Sequence, residues 1–64
     1  MEDRPIVFTI SPLADDTCRI YTRDARVKDG DNDVTVAAAK LTNMMTVMSH
    51  ILNDDGYAVL FEID

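Results

Sequence analysis

The chain reads as a small α+β domain in the order β-β-α-β. A three-stranded antiparallel sheet, in strand order 2-1-3, should carry one helix packed on one face. Three observations predict this. The run Ile6-Val7-Phe8-Thr9-Ile10 is β-branched and aromatic. The segment from Val34 to Asn53 has apolar residues at helical spacing and a single full charge, Lys40. After Asp54-Asp55-Gly56, a second β-rich run extends from Tyr57 to Ile63.

The first run is apolar on both faces, as a central strand is, and Pro5 and Pro12 bracket it. Proline is tolerated at strand ends but not inside a ladder. Ser11 to Asp16 has turn composition. Thr17 to Thr22 then alternates, with Cys18, Ile20 and Thr22 on one face and Arg19, Tyr21 and Arg23 on the other. This strand is expected to pair with the first as a hairpin. It has room to continue through Arg26-Val27-Lys28, with a bulge near Asp24-Ala25 that returns Val27 to the inner face. Lys28 to Asp33 is a polar loop.

Asp33 is a good N-cap for a helix that begins at Val34. Val34, Ala37, Ala38, Leu41, Met44, Met45, Met48, Ile51 and Leu52 form its stripe, and Val36 and Val47 widen it. Leu41 lies mid-stripe and is expected to be fully buried. The outer face, Thr35, Ala39, Thr42, Thr46, Ser49 and Asn53, is small and neutral. Such a face suits a helix covered on more than one side. Gly56 can take the left-handed backbone that ends a helix. The last strand would lie antiparallel beside the first, making the first central. A parallel strand beside the second is the alternative. The face away from the helix would then show Val7, Thr9, Arg19, Tyr21, Arg23, Ala58 and Leu60.

Sixty-four residues make one domain, spanning 1–64. A core this small is marginal, and domains of this size often add a disulfide, a metal or a partner chain. One cysteine gives no intrachain disulfide, and one cysteine with one histidine does not make a four-ligand zinc site. Self-association, as a homodimer, is the expected further source of stability. Twelve acids stand against six bases, for a net charge of −6. This favours solubility and repels nucleic acid and anionic membranes. No apolar run approaches the ~20 residues of a membrane span. The start, Met1-Glu2-Asp3-Arg4-Pro5, lacks the basic and apolar regions of a signal peptide. A cytoplasmic location with Cys18 reduced is therefore expected.

In the antiparallel arrangement Asp15, Asp16, Asp54 and Asp55 cluster at one end. Glu2, Asp3, Asp29, Asp31, Asp33, Glu62 and Asp64 collect at the other. Asp54 and Asp55 oppose their own helix macrodipole, a local cost that can mark a functional charge. Carboxylates spaced like phosphates can occupy a nucleic-acid-binding groove on another protein. The candidate partner-binding residues are thus Asp15, Asp16, Asp54 and Asp55, with Asp29, Asp31 and Asp33. In size, charge and architecture alone, the chain resembles small acidic phage-encoded inhibitors of host defence enzymes, of anti-CRISPR or anti-restriction type. No motif assigns it to a family. That resemblance implies a nucleic-acid mimic on a basic surface of a nucleic-acid-binding protein. The alternative is a small homodimeric interaction module without mimicry.

No other motif carries chemistry, and neither an enzyme nor a cofactor is expected. Asp29-Gly30-Asp31-Asn32-Asp33 opens like a calcium loop, but Val34 and Lys40 stand where glycine and glutamate are required. His50 stands near the helix C-terminus between Ser49 and Ile51; a catalytic histidine needs a nucleophile and an orienting acid, and pairing with Asp54 reads as helix-end electrostatics. Cys18 on an inner face is a small hydrophobe. Arg19, Tyr21, Arg23, Arg26 and Lys28 are the one basic run. The net charge argues against its binding nucleic acid.

Overall fold

The computed structural model describes residues 4–64; Glu2 and Asp3 lie outside the described residues. The elements are β1 (Ile6–Pro12), β2 (Thr17–Tyr21), β3 (Asp33–Ala37), a 3-10 turn (Ala38–Lys40), α1 (Leu41–Asp54) and β4 (Val59–Ile63). The general class, α+β with one helix, is as expected. The sheet is not: it has four strands in the order β3-β2-β1-β4 and is mixed. β1 pairs antiparallel with β2, β2 pairs antiparallel with β3, and β4 lies parallel to β1.

The difference starts at Val34. The segment expected to open the helix is instead an edge strand, with Val34 and Val36 half-buried and Thr35 exposed. Val-Thr-Val is β-branched at every position, so each residue is stiff at χ1 and packs well on a pleated surface. β2 also needs a neighbour on its outer side. The backbone bonds flanking this pairing are short: Thr22 N–H donates to Asn32 O at 2.9 Å, and Ala38 N–H donates to Asp16 O at 2.7 Å. The helix therefore starts four elements into the chain, at the opposite end of the sheet from the one expected. It runs back down, and the final strand must run up, parallel to β1. One extra strand reverses the last one. Its position beside β1 survives, and β1 is central as its two apolar faces require.

The inner face aligns Ile6 with Val59, Phe8 with Phe61, Ile10 with Ile20, and Cys18 with Val36. Ile6, Phe8 and Ile20 are fully buried, and Ile10, Cys18, Val27 and Met48 complete the core. The rings of Phe8 and Phe61 stack with centroids 5.5 Å apart. Leu41, expected at the centre of the stripe, is the first residue of the shortened helix and is only half-buried. Val27 does reach the core, but through a turn rather than a continued β2. Its N–H donates to Asp24 O at 3.1 Å, and the Thr22 hydroxyl ties the segment to Val7 O at 2.8 Å.

The helix stops as the sequence suggests. Gly56 has φ +93, in the left-handed region. Tyr57 N–H reaches back to Leu52 O and Gly56 N–H to Asn53 O, both at 2.9 Å. These two bonds are those of the Schellman motif, and they satisfy carbonyls that the helix end would leave orphaned. Among the described residues no helix is long and apolar enough to cross a membrane.

Candidate binding surfaces

The parallel β4 rearranges the acids. Asp15 and Asp16 lie in the β1–β2 turn. Asp54 and Asp55, expected beside them, lie at the opposite end, because α1 runs down rather than up. There they join Asp29, Asp31 and Asp33. Asp31 and Asp55 line one groove, and Asp33 pairs with Tyr21 at the foot of β2. Glu62 and Asp64 move the other way, to the end of Asp15 and Asp16. Asp64 N–H donates to Ile10 O at 2.8 Å, and its carboxylate accepts from the Ser11 hydroxyl at 3.0 Å.

The β1–β2 turn is strained. Asp15 and Asp16 have φ of 63 and 57. Two successive non-glycine residues in the left-handed region are uncommon, and aspartate is one of the few types that enter it readily. The turn is held by Leu13 N–H on Thr17 O at 2.8 Å and by the Thr17 hydroxyl on Ala14 O at 2.9 Å. Glycine at position 16 removes the strain but adds freedom to the unfolded chain. Asp16→Gly is expected to stabilise by about 0.5–1 kcal/mol net, or a Tm higher by about 2–8 °C. Thermal unfolding followed by circular dichroism checks this. A lower Tm would mean that the Asp16 carboxylate makes a stabilising contact.

The basic run is largely neutralised from within. The Arg19 guanidinium grips Asp33 through two bonds, at 2.9 and 2.6 Å, while lying 4.3 Å over the Tyr21 ring. The hydrogen bond from Arg19 holds the Asp33 carboxyl below its ordinary range. Arg26 grips Asp24 through bonds at 2.9 and 2.6 Å, and also donates to Arg4 O at 2.9 Å. Lys28 Nζ is 3.7 Å from Asp31. By contrast, among the described residues Asp15, Asp16, Asp29, Asp54 and Asp55 are exposed and make no ion pair. Both ends of the sheet thus present uncompensated carboxylates, while Arg19, Arg26 and Lys28 face acids of this same chain. No group of three or more His, Cys, Asp or Glu side chains among the described residues is placed to hold a metal.

One surface was not anticipated. A groove of about 280 Å³ opens between α1 and the loop before β3. Phe8, Val34, Met44, Val47, Met48, Ile51 and Leu52 make its apolar part, and Arg26, Lys28, Asp31 and Asp55 also line it. A shallower depression continues it along β3, past Val36, Ala37, Lys40 and Asn43. Val47 and Ile51 stay 52% and 56% exposed. The signal was present in the sequence: the apolar stripe of α1 is wider than one face of a small sheet can cover. Val34 and Ala37 fit the same helical stripe in sequence, and only their place in β3, paired with β2, leaves that width uncovered.

The open face of the sheet carries Val7, Thr9, Ser11, Arg19, Tyr21, Thr35, Leu60 and Glu62, close to the set expected. No protein-family profile matches the chain, and no curated protein or solved structure is significantly similar to it, so the acidic ends and the groove are the features from which function must be argued.

Proposed function

We propose that the chain is a small acidic binding protein that occupies a basic surface of a nucleic-acid-handling protein in place of nucleic acid. The observation that carries this reading is the internal pairing of three of the six bases. Arg19, Arg26 and Lys28 are committed to Asp33, Asp24 and Asp31. The carboxylates left over sit at the two ends of the sheet, separated by roughly 20 Å for a strand of this length. Opposite potentials of that extent steer association and make it salt-sensitive. The lower end, with Asp29, Asp54 and Asp55, is the preferred contact, since Asp54 and Asp55 lie where a helix favours cations.

The test uses the immobilised chain and a bacterial lysate, with two elutions: salt, and duplex DNA at low salt. Retained nucleic-acid-binding proteins should elute with DNA, because the two ligands compete for one surface. Asp→Asn changes at 29, 54 and 55 together should reduce retention at least tenfold, and the changes at 15 and 16 less. Asn keeps the shape and removes the charge, so the fold should persist. If nothing elutes with DNA, or if the neutralised variants retain the same proteins, the acidity serves solubility alone and the reading fails.

A further inference from the structure

We propose that α1 is the contact surface for a second copy of this chain, packed antiparallel to its partner about a two-fold axis near Val47 and Met48. The inference does not depend on the acidic-mimic reading, and a copy so paired would engage Asp54 and Asp55 itself, leaving Asp29 and the Asp15–Asp16 end to a basic partner. It starts from one face of the helix. Lys40, Met44, Val47, Ile51 and Asp55 follow one another at intervals of four, three, four and four residues. At 3.6 residues per turn these lie in a single stripe. The stripe begins with a cation, ends with an anion and is apolar between.

That order specifies how two copies meet. Antiparallel pairing about the helix midpoint sets Lys40 against Asp55 of the other copy, at both ends, and Met44 against Ile51. Parallel pairing would set Lys40 against Lys40 and Asp55 against Asp55. The antiparallel form also aligns opposite ends of the two helix macrodipoles. Asp54 and Asp55, unfavourable at their own helix end, would then lie beside the start of the partner helix. That start has no capping side chain and no acid in its first turn.

Shape and charge agree with this. The groove of about 280 Å³ lies directly beside the Val47–Ile51 ridge. An apolar cavity of about 150 Å³ admits a benzene ring, so the apolar part of this groove, along Met44, Val47, Met48 and Ile51, has room for aliphatic side chains from a facing ridge. Ridge and groove share one helix, so each copy can fill the other's groove at once, as an isologous contact requires. From Leu41 to Asn53 there is no formal charge, in a chain of net charge −6. Two such chains repel each other over most of their surfaces, and this helix is where they can approach without opposing carboxylates. The helix is about 21 Å long, so the contact is small and the dimer weak. Screening of the net repulsion should tighten it as salt rises, the opposite of the trend for a basic partner.

Sedimentation velocity of the full chain tests this, from about 1 to 100 μM, a range that brackets weak-dimer affinities. The parent chain should shift from monomer to dimer. Val47→Glu should remain monomeric with an unchanged circular dichroism spectrum, since the side chain is half exposed. Ile51→Glu repeats the test if that spectrum changes. Lys40→Glu should weaken the dimer about tenfold, and Lys40→Glu with Asp55→Lys should restore it. A parent that stays monomeric throughout overturns the proposal. So does a Val47→Glu dimer as tight as the parent's, which would place the contact on another surface, or a double variant no tighter than Lys40→Glu alone.

Discussion

Phe8→Ala is expected to unfold the domain. The Phe8 side chain is fully buried at the centre of β1, stacked on Phe61 and forming the floor beneath Met48 and Leu52. Truncating a buried phenylalanine costs about 3–5 kcal/mol, as lost transfer energy plus the cavity left behind. The whole stability of a domain this size is about 3–10 kcal/mol. The variant should therefore show a much lower urea midpoint, or no cooperative transition at all. Val7→Ala is the control. It is the neighbouring residue on the same strand, but it points to the open face and should cost under about 1 kcal/mol. Equal losses for the two would mean that the core lies on the other face.

Arg26→Ala should have the second-largest effect, about 2–3 kcal/mol. Arg26 ties together three parts of the chain. Its guanidinium holds Asp24, donates to the carbonyls of Arg4 and Pro5, and lies 5.5 Å over the Tyr57 ring. Removing it leaves a partly buried carboxylate and two carbonyls without that donor. The pH dependence identifies the cause. Asp24 is held at about 2, first by the side-chain hydrogen bond from Arg26 and then by the Arg26 N–H. This is below its ordinary value, so as pH falls the unfolded chain takes up the proton first. The contribution is whole above about pH 4 and is lost progressively between about pH 4 and pH 2. Urea midpoints for parent and variant should therefore converge across that window. A difference that stayed constant from pH 7 to pH 2.5 would show that Arg26 acts through packing rather than through Asp24.

Much of this fold could be read from local pattern, and the part that could not has a specific cause. β1, the strand from Val59, the stop at Gly56 and the inward Cys18 each follow from residues within a few positions of one another. Val34 to Ala37 does not. Asp33 is an acceptable N-cap, and Val34, Ala37, Ala38 and Leu41 fit helical spacing as well as Val34-Thr35-Val36 fits a strand. What decides between them is the unpaired edge of β2, which no window of sequence around Val34 contains. The reversed β4 follows from that one strand, since the direction of the helix sets the direction of β4 and the end at which Asp54 and Asp55 emerge. The candidate residues were legible as exposed carboxylates. Which of them would be taken up by Arg19, Arg26 and Lys28 was not, because those pairs depend on cross-strand register and on a turn closed by long-range contacts.

The central place of β1 also bears on synthesis. One of its neighbours, β2, follows within a few residues, but the other is the last strand of the chain. Fifty-three residues separate Ile10 from Ile63, its partner in the ladder. At about 5–20 residues per second a ribosome takes about 3–10 s to cover that distance. For that interval one flank of the most apolar strand is an unpaired edge, and the buried row Ile6, Phe8 and Ile10 lacks part of its cover. An open edge accepts any strand of suitable register, and a β4 from another copy has the register of the native one. The ladder that closes each molecule can thus also exchange strands between nascent ones, and the speed of translation sets how long that competition lasts.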